Sequence, residues 1–128
     1  MAKFLFNFKS QFVPKVESGE KTQTIRANRN DGRKPVPGDI ACLYSGLRTR
    51  NTKLIGEHQV VSCRSVRIHT VGNGELIVDG IKLDAQERLA FAKADGFNYW
   101  PDMVAFFRDQ YMVDVFEGFC VQWEWSKP

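Results

Sequence analysis

The sequence contains few of the residues that build metal sites and disulfide frameworks. Its 128 residues include three cysteines and two histidines. Cys42, Cys63 and Cys120 are odd in number and widely spaced, with no Cys-x-x-Cys pair, which favours reduced thiols placed in strands. Because His58 and His69 are the only histidines, a structural zinc site is not expected. We therefore predict no metal and no cofactor, and the reduced cysteines indicate a cytoplasmic protein.

The sequence also lacks a long hydrophobic run. No stretch of about 18 apolar residues occurs, so no membrane span is predicted. The polar residues near the start argue against a signal peptide. A length of 128 residues with 43% hydrophobic residues is typical of one globular domain, and we expect residues 1–128 to form it. A chain of this size can bury a core without disulfides or metals.

The net charge of +3 conceals an uneven distribution. Residues 21–67 contain ten lysines and arginines against three acidic residues, whereas residues 84–128 contain four against eight. A basic half of this kind attracts phosphate groups through its long-range field, whatever the base sequence. The alternative is that these side chains are scattered over loops and only solvate the fold. The charge alone therefore does not name nucleic acid as the partner.

The segment from Gly19 to Arg26 predicts a ligand site. We expect a turn at Gly19 and then a strand that carries Lys21, Thr22, Thr24 and Arg26. An amine, two hydroxyls and a guanidinium near a strand end suit an oxyanionic or carbonyl-bearing ligand. On an ideal strand Lys21 and Thr24 lie on opposite faces, so a shared site requires a bulge, twist or turn after Gly19. The alternative is a solvated edge strand.

Hydrophobic periodicity and turn signals predict more strands than helices. The expected elements are a first strand with Phe4, Phe6 and Phe8 on one face, a short helix within 10–18, strands at 21–26 and 40–44, one or two strands over 54–71, a hairpin over 75–83, helices ending at Asp95 and starting at Trp100, and a closing strand over 113–125. Asp84 and Glu87 have the spacing of a capping box. Alternating βα units are few, which favours an α+β fold with a small mixed barrel over a doubly wound parallel sheet.

Several aromatic residues have two interpretations. Tyr44, Phe97 and Trp100 are candidates for stacking on a nucleobase, because aromatic faces bind bases in single-stranded recognition. Core packing is the more frequent role of such residues, and both interpretations stay open. Trp123 and Trp125, which alternate on the closing strand, are expected to pack in the barrel.

Three motifs taken together resemble the ASCH domain family, which belongs to the PUA-like β-barrels. They are Gly19-x-Lys21-Thr22-x-Thr24-x-Arg26, Gly38-Asp39 before a hydrophobic strand, and Ala94-Asp95-Gly96-Phe97 between two helices. The resemblance spans nearly the whole chain. It implies a small PUA-like mixed β-barrel with two to three short flanking helices, related to RNA-binding PUA domains. Some small members of the family are amidohydrolases that remove the acetyl group from N4-acetylcytidine and related acylated cytosines.

The resemblance also implies roles for individual residues. In those hydrolases a lysine accepts a proton, a threonine is the nucleophile and a carboxylate donates a proton, and the matching residues here are Lys21, Thr24 and Asp95. The family's hydrolases have Glu at the third position, and Asp95 is one methylene shorter. The residues expected to bind substrate or nucleic acid are Thr22, Arg26, Arg29, Tyr44, Arg48 and Phe97.

The sequence and the resemblance lead us to expect one of two functions, and a third function has less support. The first is an N4-acetylcytidine amidohydrolase in which Arg26 assists. The second is a non-catalytic RNA-binding module with basic side chains on phosphates around the same cleft, namely Arg26, Arg29, Arg33, Lys34, Arg48 and Arg50. The third is a regulator that binds a protein or a small nucleotide. The expected partner is RNA or a modified cytidine nucleoside, and the chain is expected to be a monomer or weak dimer.

Overall fold

A computed structural model, which describes residues 1–126, shows an α+β fold with seven strands and three α-helices. The strands are β1 (Lys3–Phe8), β2 (Gln23–Ala27), β3 (Ile40–Ser45), β4 (Lys53–His69), β5 (Glu75–Val78), β6 (Ile81–Lys82) and β7 (Val115–Trp123). The helices are α1 (Val13–Ser18), which follows a 3₁₀ turn over Ser10–Phe12, α2 (Ala85–Ala94) and α3 (Trp100–Tyr111). The α+β class predicted from the sequence is confirmed.

The seven strands belong to one mixed sheet. β1 runs parallel to β3, and β3 is antiparallel to β4. β4 is long enough to pair with β3 through its first half and with β5 and β7 through its second half. β7 in turn pairs with β2. The sequence predicts either one or two strands between β3 and the hairpin, and the structure has a single strand there, β4.

Backbone pairing does not join β1 to β2 in residues 1–126, so the sheet is not closed into a barrel. A side chain spans the gap instead. Arg26 on β2 donates from Nη2 to the carbonyl oxygen of Asn7 on β1 at 2.8 Å. The structure thus has a mixed sheet with a gap between two strand edges, where the sequence predicts a small mixed barrel.

The aromatic face of β1 packs into the core. Along this strand Phe4, Phe6 and Phe8 are buried and alternate with exposed residues, as period-two alternation predicts. β7 departs from the predicted alternation, because Cys120 is buried as well as Phe119 and Val121. This strand lies between β2 and β4 and is covered on both faces, so residues that point to either face are buried.

The helices begin where the sequence predicts them. The Asp84 carboxylate accepts from the Glu87 N–H at 2.8 Å, and the Glu87 carboxylate accepts from the Asp84 N–H at 3.0 Å, so the predicted capping box is confirmed. α3 starts at Trp100 with Pro101 in its first turn. No helix within residues 1–126 has both the length and the apolar character that a membrane span requires.

The strand predicted to start at Lys21 starts at Gln23 instead. The N–H of Lys21 donates to the carbonyl oxygen of Lys15 in α1 at 3.0 Å, and the N–H of Thr22 donates to that of Ala94 in α2 at 3.1 Å. Because helix ends engage these two backbone groups, the segment enters the sheet only after Thr22. Lys21 is therefore not bound by the alternation of side chains along β2.

Candidate active site

A pocket opens at the gap between β1 and β2, beneath α3. Its cavity volume is about 130 Å³, which is smaller than that of a usual small-molecule site, and its mouth is open to solvent. The pocket is lined by Asn7, Phe8, Lys9, Phe12, Lys21, Thr24, Ile25, Arg26, Asp95, Phe97, Phe106, Phe107, Gln110 and Tyr111. The three residues predicted to be catalytic, Lys21, Thr24 and Asp95, thus line one pocket.

Lys21 is buried at the base of this pocket, with 3% of its surface exposed. Its Nζ donates to the carbonyl oxygen of Asp95 at 2.5 Å and lies 3.4 Å from Asp95 Oδ1. The same ammonium lies 5.1 Å from the ring centre of Phe12 and 5.7 Å from that of Phe8, within the range of cation–π attraction. The side chain is therefore held between one carboxylate and two aromatic rings.

The end of α2 places Asp95 opposite Lys21. Asp95 is the C-cap residue of this helix, and its N–H donates to the carbonyl oxygen of Phe91 at 3.1 Å. Gly96 follows with φ +96°, a conformation that side-chain-bearing residues rarely adopt. A Cβ at Gly96 would lie 2.9 Å from Cδ of Lys21. The glycine therefore ends the helix and also leaves room for the lysine stem.

Burial shifts both pKa values of this pair toward the neutral forms. The pKa of Lys21 is lowered mainly because burial penalises its charge, and the nearby Arg26 lowers it further, while Asp95 opposes the shift. The pKa of Asp95 is raised by burial, against the attraction of Lys21, Gln23 and Arg26. A lysine with a lowered pKa can accept a proton, and a carboxyl group with a raised pKa can donate one.

Thr24 and Arg26 face the pocket together from β2. Thr24 is buried, and its Oγ1 accepts from Arg26 Nε at 3.1 Å. The guanidinium also lies 5.3 Å and 5.2 Å from the ring centres of Phe6 and Phe8. Since Nε only donates, the threonine hydroxyl keeps its own hydrogen for another acceptor. The alternation of side chains along a strand places these two residues on the same face.

Two polar neighbours of the catalytic candidates, one buried and one half-buried, were missed from the sequence. Gln23 is 2% exposed, its Nε2 donates to the carbonyl oxygen of Phe91 at 3.4 Å, and its side chain helps to lower the pKa of Asp95. Tyr111 contributes a half-buried hydroxyl to the pocket, and burial raises its pKa. A glutamine inside a segment that enters the sheet was an available signal for the first. Nothing near Tyr111 in the sequence connects it with Lys21.

The far wall of the pocket is formed by residues that were not predicted to belong to the site. Phe106, Phe107 and Gln110 come from α3, and Lys9 Nζ donates to Gln110 Oε1 at 2.6 Å across the mouth. Phe106 and Phe107 pack against the core and also line the pocket.

The predicted binding residues fall into three groups: those that line the pocket, those that lie outside it, and those that line a second groove. Arg26 and Phe97 line the pocket, and the Phe97 ring meets the Phe12 ring edge to face at 5.4 Å. Thr22 and Tyr44 are half-buried and lie outside the pocket lining. Trp100 is buried, with its Nε1 donating to the carbonyl oxygen of Asn73 at 2.8 Å, which supports the core interpretation.

Arg29 and Arg48 lie in a second groove, which we call the basic groove. It is lined by Lys3, Phe4, Leu5, Arg29, Arg33, Leu47 and Arg48. The expectation that the basic side chains surround the same cleft as Lys21 is therefore wrong for this group. The groove is lined by Lys3, Phe4 and Leu5 of β1, whereas the pocket is lined by Asn7 and Phe8 of the same strand.

The site contains no cluster of metal ligands. Within residues 1–126, no group of three or more His, Cys, Asp or Glu side chains is placed to hold a metal ion. Cys42, Cys63 and Cys120 lie in strands β3, β4 and β7 and are free thiols, as predicted.

Comparison of the chain with protein-family models, with curated proteins and with solved structures finds no match. The geometry of the pocket is therefore the basis for a functional proposal.

Proposed function

We propose that the protein is an ASCH-type amidohydrolase that removes the acyl group from N4-acetylcytidine or a related acylated cytosine. The observation that carries the proposal is the buried Lys21–Asp95 pair, in a pocket that also holds the Thr24 hydroxyl. The shorter aspartate still reaches the lysine, with 3.4 Å between Oδ1 and Nζ. The aromatic wall of the same pocket suits a planar base.

In the first half-reaction Thr24 acts as the nucleophile. Neutral Lys21 takes the hydroxyl proton as Oγ1 bonds to the acyl carbon, and the C–N4 bond breaks as protonated Asp95 gives its proton to N4. The Arg26 guanidinium, which donates to Thr24 Oγ1, stabilises the developing oxyanion. The products of this step are free cytidine, an acyl-threonine ester and the Lys21–Asp95 ion pair.

In the second half-reaction water releases the acyl group. The Asp95 carboxylate takes a proton from water as the oxygen attacks the ester, and Lys21 returns its proton to Thr24 as that oxygen leaves. The pair regains its starting protonation, and the sum is amide plus water giving amine plus carboxylic acid. No external oxidant, reductant or metal is needed.

Two further features support other parts of the proposal. The Arg26 bridge from β2 to the Asn7 carbonyl joins strand edges where a backbone ladder would close a PUA-like barrel. Three free thiols suit a reducing compartment, in keeping with a cytoplasmic protein.

The test is hydrolysis of N4-acetylcytidine, followed as cytidine formation by chromatography. We expect turnover by the wild-type protein, and a loss of about 10²- to 10⁴-fold in kcat for Lys21→Ala and for Asp95→Asn. Thr24→Ser should keep activity because it retains the hydroxyl, whereas Thr24→Val should abolish acyl transfer. Circular dichroism and thermal melts of each variant separate lost chemistry from lost folding.

The same experiment distinguishes the binding-module alternative. No turnover above the Lys21→Ala background would overturn the hydrolase. If the wild-type protein then bound RNA with an affinity that falls steeply with salt, the non-catalytic module would be the better description.

A further inference from the structure

The basic groove carries a concentration of positive charge that the proposed chemistry does not use. Its lining includes four cationic side chains, those of Lys3, Arg29, Arg33 and Arg48, and no acidic one. Arg29 pairs with Asp31 at 3.1 Å, and Lys3 lies 4.0 Å from a carboxylate oxygen of Glu57. Within residues 1–126, neither Arg33 nor Arg48 has a carboxylate oxygen within 4.0 Å. Two guanidinium groups are thus available to an anion from outside.

The Phe4 ring at the floor of the groove holds the Arg33 guanidinium without neutralising its charge. The Arg33 guanidinium lies 5.3 Å from the ring centre of Phe4, a cation–π distance. The Asp39 oxygens accept from the N–H groups of Ala2 and Val36 at 2.9 Å, and these hydrogen bonds lower the pKa of Asp39 more than the Arg33 charge does. That carboxylate is engaged by the backbone, so it leaves the donors of Arg33 free. A guanidinium held on an aromatic face presents its N–H fork to an oxyanion.

The basic groove and the catalytic pocket lie along the same strand. Leu5 lines the groove and Asn7 lines the pocket, and two residues of a strand span about 7 Å. Asn7 also links the two sites, because its Oδ1 accepts from the N–H of Leu47 at 2.9 Å and its carbonyl accepts from Arg26. A ligand with one end in the pocket can therefore place a charged group in the groove.

We propose that the basic groove binds a phosphate group of the substrate, so that the pocket receives its acylated base from a phosphorylated nucleotide or strand rather than from a free nucleoside. The inference rests on the proposed hydrolase function and names its substrate class. Phosphate esters are the anions that paired arginines bind through bidentate hydrogen bonds. The phosphate belongs either to the same nucleotide or to a neighbouring one in a strand.

The test compares four substrates with three proteins. The substrates are N4-acetylcytidine, its 5′-monophosphate, its 3′-monophosphate and a trinucleotide with the acylated base in the middle. The proteins are the wild type, Arg33→Gln/Arg48→Gln, and Arg67→Gln/Arg108→Gln. The Arg67→Gln/Arg108→Gln protein is the control, because it loses the same charge at exposed positions outside both the pocket and the groove.

We expect a phosphorylated substrate to have a kcat/KM about tenfold above that of the nucleoside in the wild type, since each charged hydrogen bond contributes about this factor. Arg33→Gln/Arg48→Gln should remove that advantage by raising the KM for the phosphorylated substrate, and the control should behave as wild type. A preference for either monophosphate assigns the substrate's own phosphate, and a preference confined to the trinucleotide assigns a neighbouring one. Equal kcat/KM for all four substrates would overturn the inference and leave the hydrolase standing.

A binding measurement keeps the inference testable if no substrate is hydrolysed. Affinities for cytidine, cytidine 5′-monophosphate and a cytidine trinucleotide are measured at several salt concentrations. We expect phosphate-dependent binding whose log–log salt slope falls by about 1 in Arg33→Gln/Arg48→Gln. An affinity that is the same in both double variants would reject the phosphate site, whatever the outcome for catalysis.

Discussion

Lys21 and Asp95 are each 3% exposed, and each tempers the cost of burying the other's charge. Removing one partner of a buried pair leaves an uncompensated charge, which destabilises a protein by about 3–5 kcal/mol unless that group becomes neutral. Asp95 becomes neutral by taking up a proton from solvent, and Lys21 becomes neutral by releasing a proton to solvent. The stability of single variants therefore depends on pH in opposite directions.

We predict that Lys21→Met loses stability as the pH rises. In this variant the pKa of buried Asp95 in the folded state stays above its ordinary value of 3.8, so the folded protein binds more protons than the unfolded chain. The free energy of unfolding then falls from about pH 4 upward, by up to about 1.4 kcal/mol per pH unit, until the folded-state pKa is passed.

Asp95→Asn is the matched partner variant and should show the opposite slope. The folded-state pKa of Lys21 lies below its ordinary value of 10.5, so the unfolded chain binds more protons and stability rises as the pH approaches that value. Urea titrations at pH 4, 7 and 9 measure both slopes. Parallel pH profiles for the two variants would contradict a mutually compensated pair.

At the scale of the element, β7 sets the position of β2 and thereby of Thr24 and Arg26. Thr24 is registered against Val121 and Arg26 against Phe119 in the antiparallel ladder. A Cβ on Gly118 would collide with the carbonyl oxygen of Arg26. The glycine thus allows β2 to approach β7 closely enough to present both side chains to the pocket.

We predict that Gly118→Ala destabilises the protein by about 1–3 kcal/mol, because β2 must move away from β7. Activity at a pH and temperature where the variant is fully folded should also fall, since Arg26 moves with its strand. Urea unfolding and the hydrolysis assay measure the two effects.

Glu117→Ala provides the control on the same strand. It removes an exposed ion pair with Arg67, whose atoms are 2.8 Å apart, and such pairs contribute less than about 1 kcal/mol. Equal stability losses for the two variants would show that the close approach at Gly118 does not matter.

At the scale of the whole molecule, the buried apolar side chains form a single cluster. The cluster includes residues of β1, α1, β2, β3, β4, β5, α2, α3 and β7. Because the first and last strands share this core, neither half of the chain has an apolar centre of its own. Single domains of this kind unfold cooperatively.

We therefore predict that residues 1–128 unfold in one transition. Trp100 in α3 and Trp123 in β7 report tertiary packing by fluorescence, and far-ultraviolet circular dichroism reports the helices and strands. The midpoints in urea should coincide for both probes. Two resolved transitions would divide the chain into more than one folding unit.

Much of the fold could be predicted because its signals are local. The alternation of Phe4, Phe6 and Phe8 gave β1, and the spacing of Asp84 and Glu87 gave the start of α2. Each signal depends on residues within about one helical turn or a few strand positions. The predicted start of β2 was wrong because it depends on contacts with residues beyond that range. The helices α1 and α2 engage the N–H groups of Lys21 and Thr22.

The element types and the chemically reactive side chains could be predicted from the sequence, since propensity, periodicity and ionisable groups belong to the residues themselves. Which of those side chains meet depends on the tertiary structure. Lys21 and Asp95 are 74 positions apart, and Lys9 and Gln110 are 101 apart. It also separated Arg29 and Arg48 from the pocket. Burial, which is the main cause of the pKa shifts of Lys21 and Asp95, exists only once distant segments pack together.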